Sequence, residues 1–400
     1  MSAPSSAPSF RPRRVAYVGP ISIPDGGAAC QRMLGNALSL KQAGWEVLLG
    51  SGQMPIKERS NPFDHLGFPV YSLSERRHEG LPSIVKHMLY LNMGAKTLAW
   101  LKSLDPKPDA VILYSGYSAY FSKLYPWCRR ENIPLAFDAV EWYEPSSMPG
   151  GAYGPYRWSF ELAMRSYCLK AGRVIAISRW LDDWYSEKGV KTARVPPTHD
   201  VLANPWRQGG EEGRGKTIFA YAGSPGKKDL LDPFVEAVYH ENLDRGQVEL
   251  RLVGPTVKEV LALPALAQRG LTSLPSWVKA TGRLPQVEAL DVVRQADFSI
   301  LLRPIMRYST AGFPTKSTES LAVGTPLLAN LTSDLGTFLE DGINSCVAGG
   351  IEVDHVAAAL KAAVSQSLEE RKSMRAAARR TAESLFDYRH YAEALDRLLS

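Results

Sequence analysis

The sequence predicts an α/β protein built from two Rossmann-like parallel-sheet domains facing across a cleft. Apolar, β-branched runs alternate with amphipathic stretches, the pattern of a parallel sheet wrapped by helices. The alternation fills 15–203, breaks at a polar, glycine-rich and aperiodic stretch, 204–215, and restarts over 216–385. A chain of 400 residues is also longer than a single core usually supports.

In the first half the strand candidates are 15–18, 46–50, 110–114, 134–138 and 173–177, with helical patterns over 28–43, 84–104 and 156–171. In the second half the strands are 217–222, 249–253, 278–281, 297–302 and 326–329, and the chain then turns helical. Residues 386–400 form a last, aromatic-bearing segment. The Ser/Pro-rich residues 1–14 lack an apolar h-region and read as a disordered tail, not a secretory signal.

Composition narrows the function classes. No apolar run approaches the length of a spanning helix. Cys30, Cys128, Cys168 and Cys346 lie far apart and fit no zinc or redox spacing, which points to a reduced, cytoplasmic setting. The net charge of +6 suits anionic small molecules or an acidic membrane surface, and nucleic acid is not expected as a partner.

Several motifs fail on context. Gly210, Gly215, Lys216 and Thr217 satisfy the phosphate-loop pattern, but that loop must follow a strand and open a helix, and here it precedes a strand. Gly-x-Gly-x-x-Gly, Gly-x-Ser-x-Gly, His-x-x-x-His and Cys-x-x-Cys do not occur, nor do two aspartates with a single residue between them, so no metal site is expected. Asn330-Leu331-Thr332 is a glycosylation sequon without meaning in a cytoplasmic chain.

Four segments at strand ends survive. Gly26 and Gly27 follow the first strand at a helix mouth, where bare amides meet anions; an ordinary loop reads equally well. Asp138, Glu141, Trp142, Tyr143 and Glu144 follow the fourth strand, as acids and rings for a sugar or as loop acids beside a core Trp. Lys227 and Lys228 follow the first strand of the second half, as a diphosphate grip at a helix N-terminus or as a basic turn. The stretch 303–326 is the most specific. Gly312, Phe313, Thr315 and Lys316 lead into a helix whose amides can meet a phosphate, and Glu319 can accept both hydroxyls of a ribose.

Taken together, these segments resemble the GT-B fold glycosyltransferases, specifically the large retaining family 4. The likeness covers nearly the whole chain after the tail. It rests on the Gly26-Gly27 loop, on 174–178 with its following helix, on Val195-Pro196-Pro197, and on the spacing of Pro314, Lys316, Glu319, Gly324 and Pro326. Asp138-x-x-Glu141-Trp142 is similar to an acidic strand-end motif of bacterial polysaccharide members.

The resemblance implies a sugar moved from a nucleotide diphosphate sugar to a hydroxyl, with retention and without a metal or other cofactor, in glycan or glycoconjugate assembly. It places Glu319 on the ribose, Lys228 or Lys227 on the diphosphate, Arg283 and Leu284 at the base, and Gly26 and Gly27 closing over the donor. The final segment would cross back onto the first domain.

Three positions depart from the pattern. Ala311 and Ser224 stand where the family often has Glu and Arg, and Val140-Glu141 replaces the usual strand-end His. Glu141, with Asp138 behind it, is then the expected acid near the reacting carbon. These departures also leave open an inactive relative that binds a nucleotide or a partner. The acceptor expected is a saccharide, a lipid-linked intermediate or a small molecule. The stretch 81–104 reads either as an interfacial helix in peripheral contact with a membrane or as a core-facing helix. His199 is the one histidine expected near the cleft.

Overall fold

The computed structural model describes residues 11–25, 27–57, 59–75, 90–145, 148, 151–209, 215–226, 228–244 and 246–400. The first sheet contains β1 (Arg14–Gly19), β2 (Glu46–Ser51), β3 (Phe63–His65), β4 (Phe68–Ser72), β5 (Ala110–Tyr114), β6 (Leu135–Ala139), β7 (Arg173–Ala176) and β8 (Lys191–Arg194). The second contains β9 (Thr217–Ala222), β10 (Val248–Val253), β11 (Val278–Ala280), β12 (Phe298–Leu301), β13 (Leu327–Asn330) and β14 (Ser345–Ala348).

Strand order is β3-β4-β2-β1-β5-β6-β7-β8 in one sheet and β11-β10-β9-β12-β13-β14 in the other. Among the described residues every pairing is parallel except the β3–β4 hairpin. The ten strands expected from the sequence are all present. They form because helices cover both faces, so residues on either side of β1, such as Ala16 and Tyr17, are equally buried. The strands not foreseen are β3, β4, β8 and β14. In β8 only Ala193 is buried, and β3 and β14 are too short to show a period.

Both sheets reverse direction at a central strand. Beside β1 the chain winds outward through β2 and later returns through β5. Beside β9 it winds through β10 and returns through β12. Open parallel sheets leave a crevice at such a reversal, beyond the carboxyl ends of the strands. The loops after β1, β5, β9 and β12 therefore decide where a ligand can sit.

Helix α1 (Gly27–Gln42) starts at the mouth of the first crevice. The pattern at 156–171 becomes one continuous helical run, Pro155–Leu162 and Cys168–Ala171 joined by a π turn at Ala163–Tyr167. Of the stretch 81–104, residues 81–89 lie outside the described residues. The helix Ala95–Ser103 buries Thr97 and Leu101, so this part packs inward. Among the described residues no helix is long and apolar enough to cross a membrane. Part of the expected tail is tied down: Arg11 pairs with Asp109, and Arg13 pairs with Asp396.

The chain passes between the two halves twice, and the passages lie side by side. The His199 amide donates to the Phe386 carbonyl (2.9 Å) and the Tyr388 amide to the His199 carbonyl (3.1 Å). Helix α4 (Leu368–Leu385) clamps the linker from the second half. Arg375 donates to the carbonyls of Gly209, Ala296 and Arg294, and Arg379 to those of Val201, Trp206 and Ala322. (Helices between α1 and α4 that shape the cleft are α2, Gln286–Arg294, and α3, Thr315–Ala322.)

After the second passage, helix α5 (Ala392–Leu399) lies on the first sheet. Leu395, Leu398 and Leu399 enter the cluster of Val15, Tyr17 and Trp45, and the Trp45 indole donates to Asp396 (2.8 Å). Leu395→Ala removes a fully buried side chain there. It is expected to cost about 2–5 kcal/mol, seen as a lower urea midpoint. Leu385→Ala, at a position 40% exposed, is expected to change stability by no more than about 0.5 kcal/mol.

Candidate functional site

A cavity of 1110 Å³ lies where the two crevices face each other. Its walls include Pro20 and Ile21 after β1, Tyr114 and Ser115 at the end of β5, Gly223 and Ser224 after β9, and Leu301 and Arg303 at the end of β12. Both reversal points thus contribute to one space.

On the second-domain side the floor depends on two glycines. A Cβ on Gly254 would sit 1.9 Å from the Gly223 carbonyl oxygen, and one on Gly223 would sit 2.3 Å from Lys316 Cε; both residues have positive φ. The close approach lets Lys316 lie flat across the strand ends. Its Nζ pairs with Asp229 Oδ2 (2.6 Å), and Arg303 Nε approaches Asp229 Oδ1 (3.0 Å). Burial would raise the Asp229 carboxyl, but Lys316, Arg303 and the Tyr221 hydroxyl together hold it below the usual carboxylate range.

Glu319 follows Lys316 by one turn of α3 and points into the cavity. Burial pushes its carboxyl up to about 7, against the opposing pull of Lys316 and a hydrogen bond from Gln286. Gln286 also receives a hydrogen bond from Gln31 of α1 (2.8 Å), so this network spans the cleft. Arg283 and Leu284 line the same end. Gly324, with φ 72°, terminates α3 in the left-handed conformation that favours glycine.

The first domain supplies Asp25, Gly27 and Ala28 at the start of α1, and Tyr114, Tyr117, Glu141 and Tyr143 along the wall. Glu141 is ion-paired across the cleft with Lys228, whose ammonium also lies 4.8 Å from the Tyr143 ring centre and 5.5 Å from that of Tyr308. Burial, and then the neighbouring Glu141 carboxylate, raise the Tyr143 hydroxyl well above its ordinary value.

Of the residues singled out in the sequence, Gly27, Glu141, Lys228, Arg283, Leu284, Gly312, Phe313, Thr315, Lys316 and Glu319 all line this cavity. Gly26 and Lys227 lie outside the described residues. Asp138 does not line it. Along β6 side chains alternate, so Asp138 faces the α1 side with Ala136. There it is fully buried, paired with Arg32 (2.8 Å) and accepting from the Tyr17 hydroxyl.

One more expectation is corrected, that of a helix N-terminus at Lys228, and three other residues take places of their own. Lys228 sits in a loop, since the next helix begins only at Asp232. His199 is buried between Trp206 and Thr318 at the domain passage, and burial alone lowers its imidazole to about 3. Trp142 is a core residue whose indole donates to Glu161 (3.0 Å). Lys216, of the phosphate-loop pattern, pairs with Glu249 beside β9.

Sequence reasoning overlooked Asp229, Arg303, Gln286 and Arg32. Asp229 and Arg303 stood inside the segments already singled out. Gln286 and Arg32 carried no signal, because their partners are remote in sequence. Among the described residues there is no group of three or more His, Cys, Asp or Glu that could hold a metal ion.

The arrangement offers cations beside strand-end amides, a raised carboxyl one helical turn away, and an aromatic wall opposite. Residues 26–198 match the glycosyl transferase 4-like domain family, and residues 232–397 match a glycosyl transferase-like family. The chain is a glycosyltransferase of GT-B fold. No curated protein sequence matches it significantly. Solved structures do, at low identity.

Sucrose-phosphate synthase from Thermosynechococcus elongatus is 12% identical with a TM-score of 0.71, over 96% of this chain and 98% of that one. A glycosyltransferase from Rickettsia africae is 14% identical with a TM-score of 0.67, over 98% and 100%. HepE from Anabaena, in complex with UDP-glucose, is 14% identical with a TM-score of 0.63, over 96% and 99%.

The raised Glu319 carboxyl gives the glycosyltransferase a testable pH dependence. Only the ionised form accepts hydrogen bonds at both oxygens, so acceptance from a diol weakens as pH falls through about 7. If Glu319 holds the ribose, nucleoside diphosphate affinity falls about tenfold from pH 8 to pH 6 beyond the loss due to the ligand's own phosphate titration. Calorimetry on Glu319→Gln gives that ligand contribution, and the extra fall is absent in this variant.

Proposed function

We propose that this glycosyltransferase moves a sugar from a nucleoside diphosphate sugar to an acceptor hydroxyl, with retention at the anomeric carbon and without a metal. The observation that carries the reading is the convergence of Lys228, Lys316, Arg303 and Glu319 on one cavity lined by both sheets. In this reading Glu319 accepts from the ribose hydroxyls, and the base lies against Arg283 and Leu284. The diphosphate lies over the amides at the start of α3 with Lys316 and Lys228. Retention is supported by the Lys316, Glu319, Gly324 and Pro326 spacing, which resembles that of a retaining family.

The bond from the anomeric carbon to the diphosphate oxygen breaks, and its electron pair leaves with the diphosphate. The acceptor oxygen forms the new bond, and its proton passes to a phosphate oxygen. Fixed cations next to the departing charge lower the barrier without rearranging during the step, and they supply the positive charge that a metal would otherwise bring. Glu141 stands as the acid near the reacting carbon. The sugar acceptor packs on Tyr114, Tyr117 and Tyr143, whose apolar faces complement those of a saccharide ring. Glycan or glycoconjugate assembly is the setting we infer.

HepE complexes hold UDP and UDP-glucose, so UDP and its sugars are the first ligands to test. Lys228→Ala is expected to lower kcat/KM for the donor by about 100-fold or more. Glu319→Ala is expected to weaken donor binding by about 10- to 100-fold, the loss of hydrogen bonds to a charged group. Proton NMR of the product should show the donor's anomeric configuration, and turnover should survive a chelator. Unchanged turnover and donor affinity in both variants would remove this site.

A further inference from the structure

Glu141 and Lys228 bridge the cleft, one from each domain. We propose that Lys228 exchanges partners when the donor binds: it leaves Glu141 for the diphosphate, and the uncovered Glu141 carboxylate then acts on the transferred sugar. This rests on the donor reading above.

The other cations of the cavity cannot make this exchange as readily. Lys316 and Arg303 share Asp229, which is almost entirely buried beneath them. Withdrawing either would leave a desolvated carboxylate short of charge, so that triad is fixed. The Lys228 side chain, by contrast, is 44% exposed, and a half-exposed pair contributes little. A diphosphate carries more charge than a single carboxylate and presents several oxygens to the ammonium. Lys228 also lies over the Tyr143 and Tyr308 rings, whose faces favour a cation wherever it sits between the two partners.

Glu141 does not need Lys228 to stay in place. The Tyr143 hydroxyl hydrogen-bonds to it. Gly312 lies beside it, since a Cβ there would meet Glu141 Cγ at ordinary contact distance, 3.5 Å. Its side chain is only 15% exposed. Once Lys228 has gone, an oriented negative charge faces the region where the anomeric carbon becomes positive as its bond to the diphosphate breaks. The charge is therefore neutralised without a donor and active with one.

The exchange makes an unusual demand: removing a catalytic carboxylate should tighten nucleotide binding. Titration calorimetry of UDP into the full chain tests it. Glu141→Gln keeps the size and the hydrogen bond to Tyr143 but releases Lys228. Its Kd for UDP should fall about fivefold, the scale of a half-exposed ion pair, while kcat for transfer drops. Lys228→Met alone should weaken UDP binding, and adding Glu141→Gln to it should bring no further change. An unaltered or weaker Kd in Glu141→Gln overturns the exchange. So does a gain that persists in the Lys228→Met background, because plain repulsion between Glu141 and phosphate would then explain it. If wild-type protein binds neither UDP nor any other nucleoside diphosphate, the donor reading itself fails and takes this proposal with it.

Discussion

A carboxylate at a parallel-sheet edge is desolvated by the helices around it, and it must find a cation or stay protonated. The cleft is arranged around the ways its acids meet that demand. Asp138 takes Arg32, whose remaining donors reach the Val195 and Pro196 carbonyls. This ties α1 to the loop after β8, and so fixes the helix start that faces the cavity. Asp229 takes Lys316 and Arg303, which binds the loop after β9 to the one after β12. Glu319 has only the nearby Lys316 and a glutamine, and its carboxyl rises to about 7. The cavity wall is thus a set of loops held by buried charge, with one acid left adjustable.

Topology explains why these charges meet at all. Parallel strands all end on the same side, and each sheet reverses at its central strand, so four loops open into one space. Two facing sheets double that arrangement. The length of the chain follows from it, because a single such sheet would offer half a cleft.

The fold was legible because its signals are local. Runs such as Ala110–Tyr114 and Thr217–Ala222 announce buried strands by themselves, whereas Lys191–Arg194 is a strand only because β7 lies beside it. The site divides the same way. Lys316, Glu319 and Gly324 share one helix and its end, so their spacing carries the geometry. Pairings between loops were not legible. Lys228 with Glu141, Arg32 with Asp138 and Gln31 with Gln286 each span long stretches of sequence. Asp138 shows the cost of reading a strand end without its faces. One residue of register decides whether an acid meets the ligand or the core, and here the α1 side claimed it.

The side-by-side passages at His199 and Phe386 have a mechanical consequence. Two short segments joined by main-chain hydrogen bonds resist sliding but permit rotation, much as a book is held at its spine. The imidazole at this spine is kept uncharged by burial and touches Thr318, the residue next to Glu319. Any swing of one domain against the other therefore leaves the Glu319 end of the cavity nearly still. Its largest travel falls at the margins farthest from the spine.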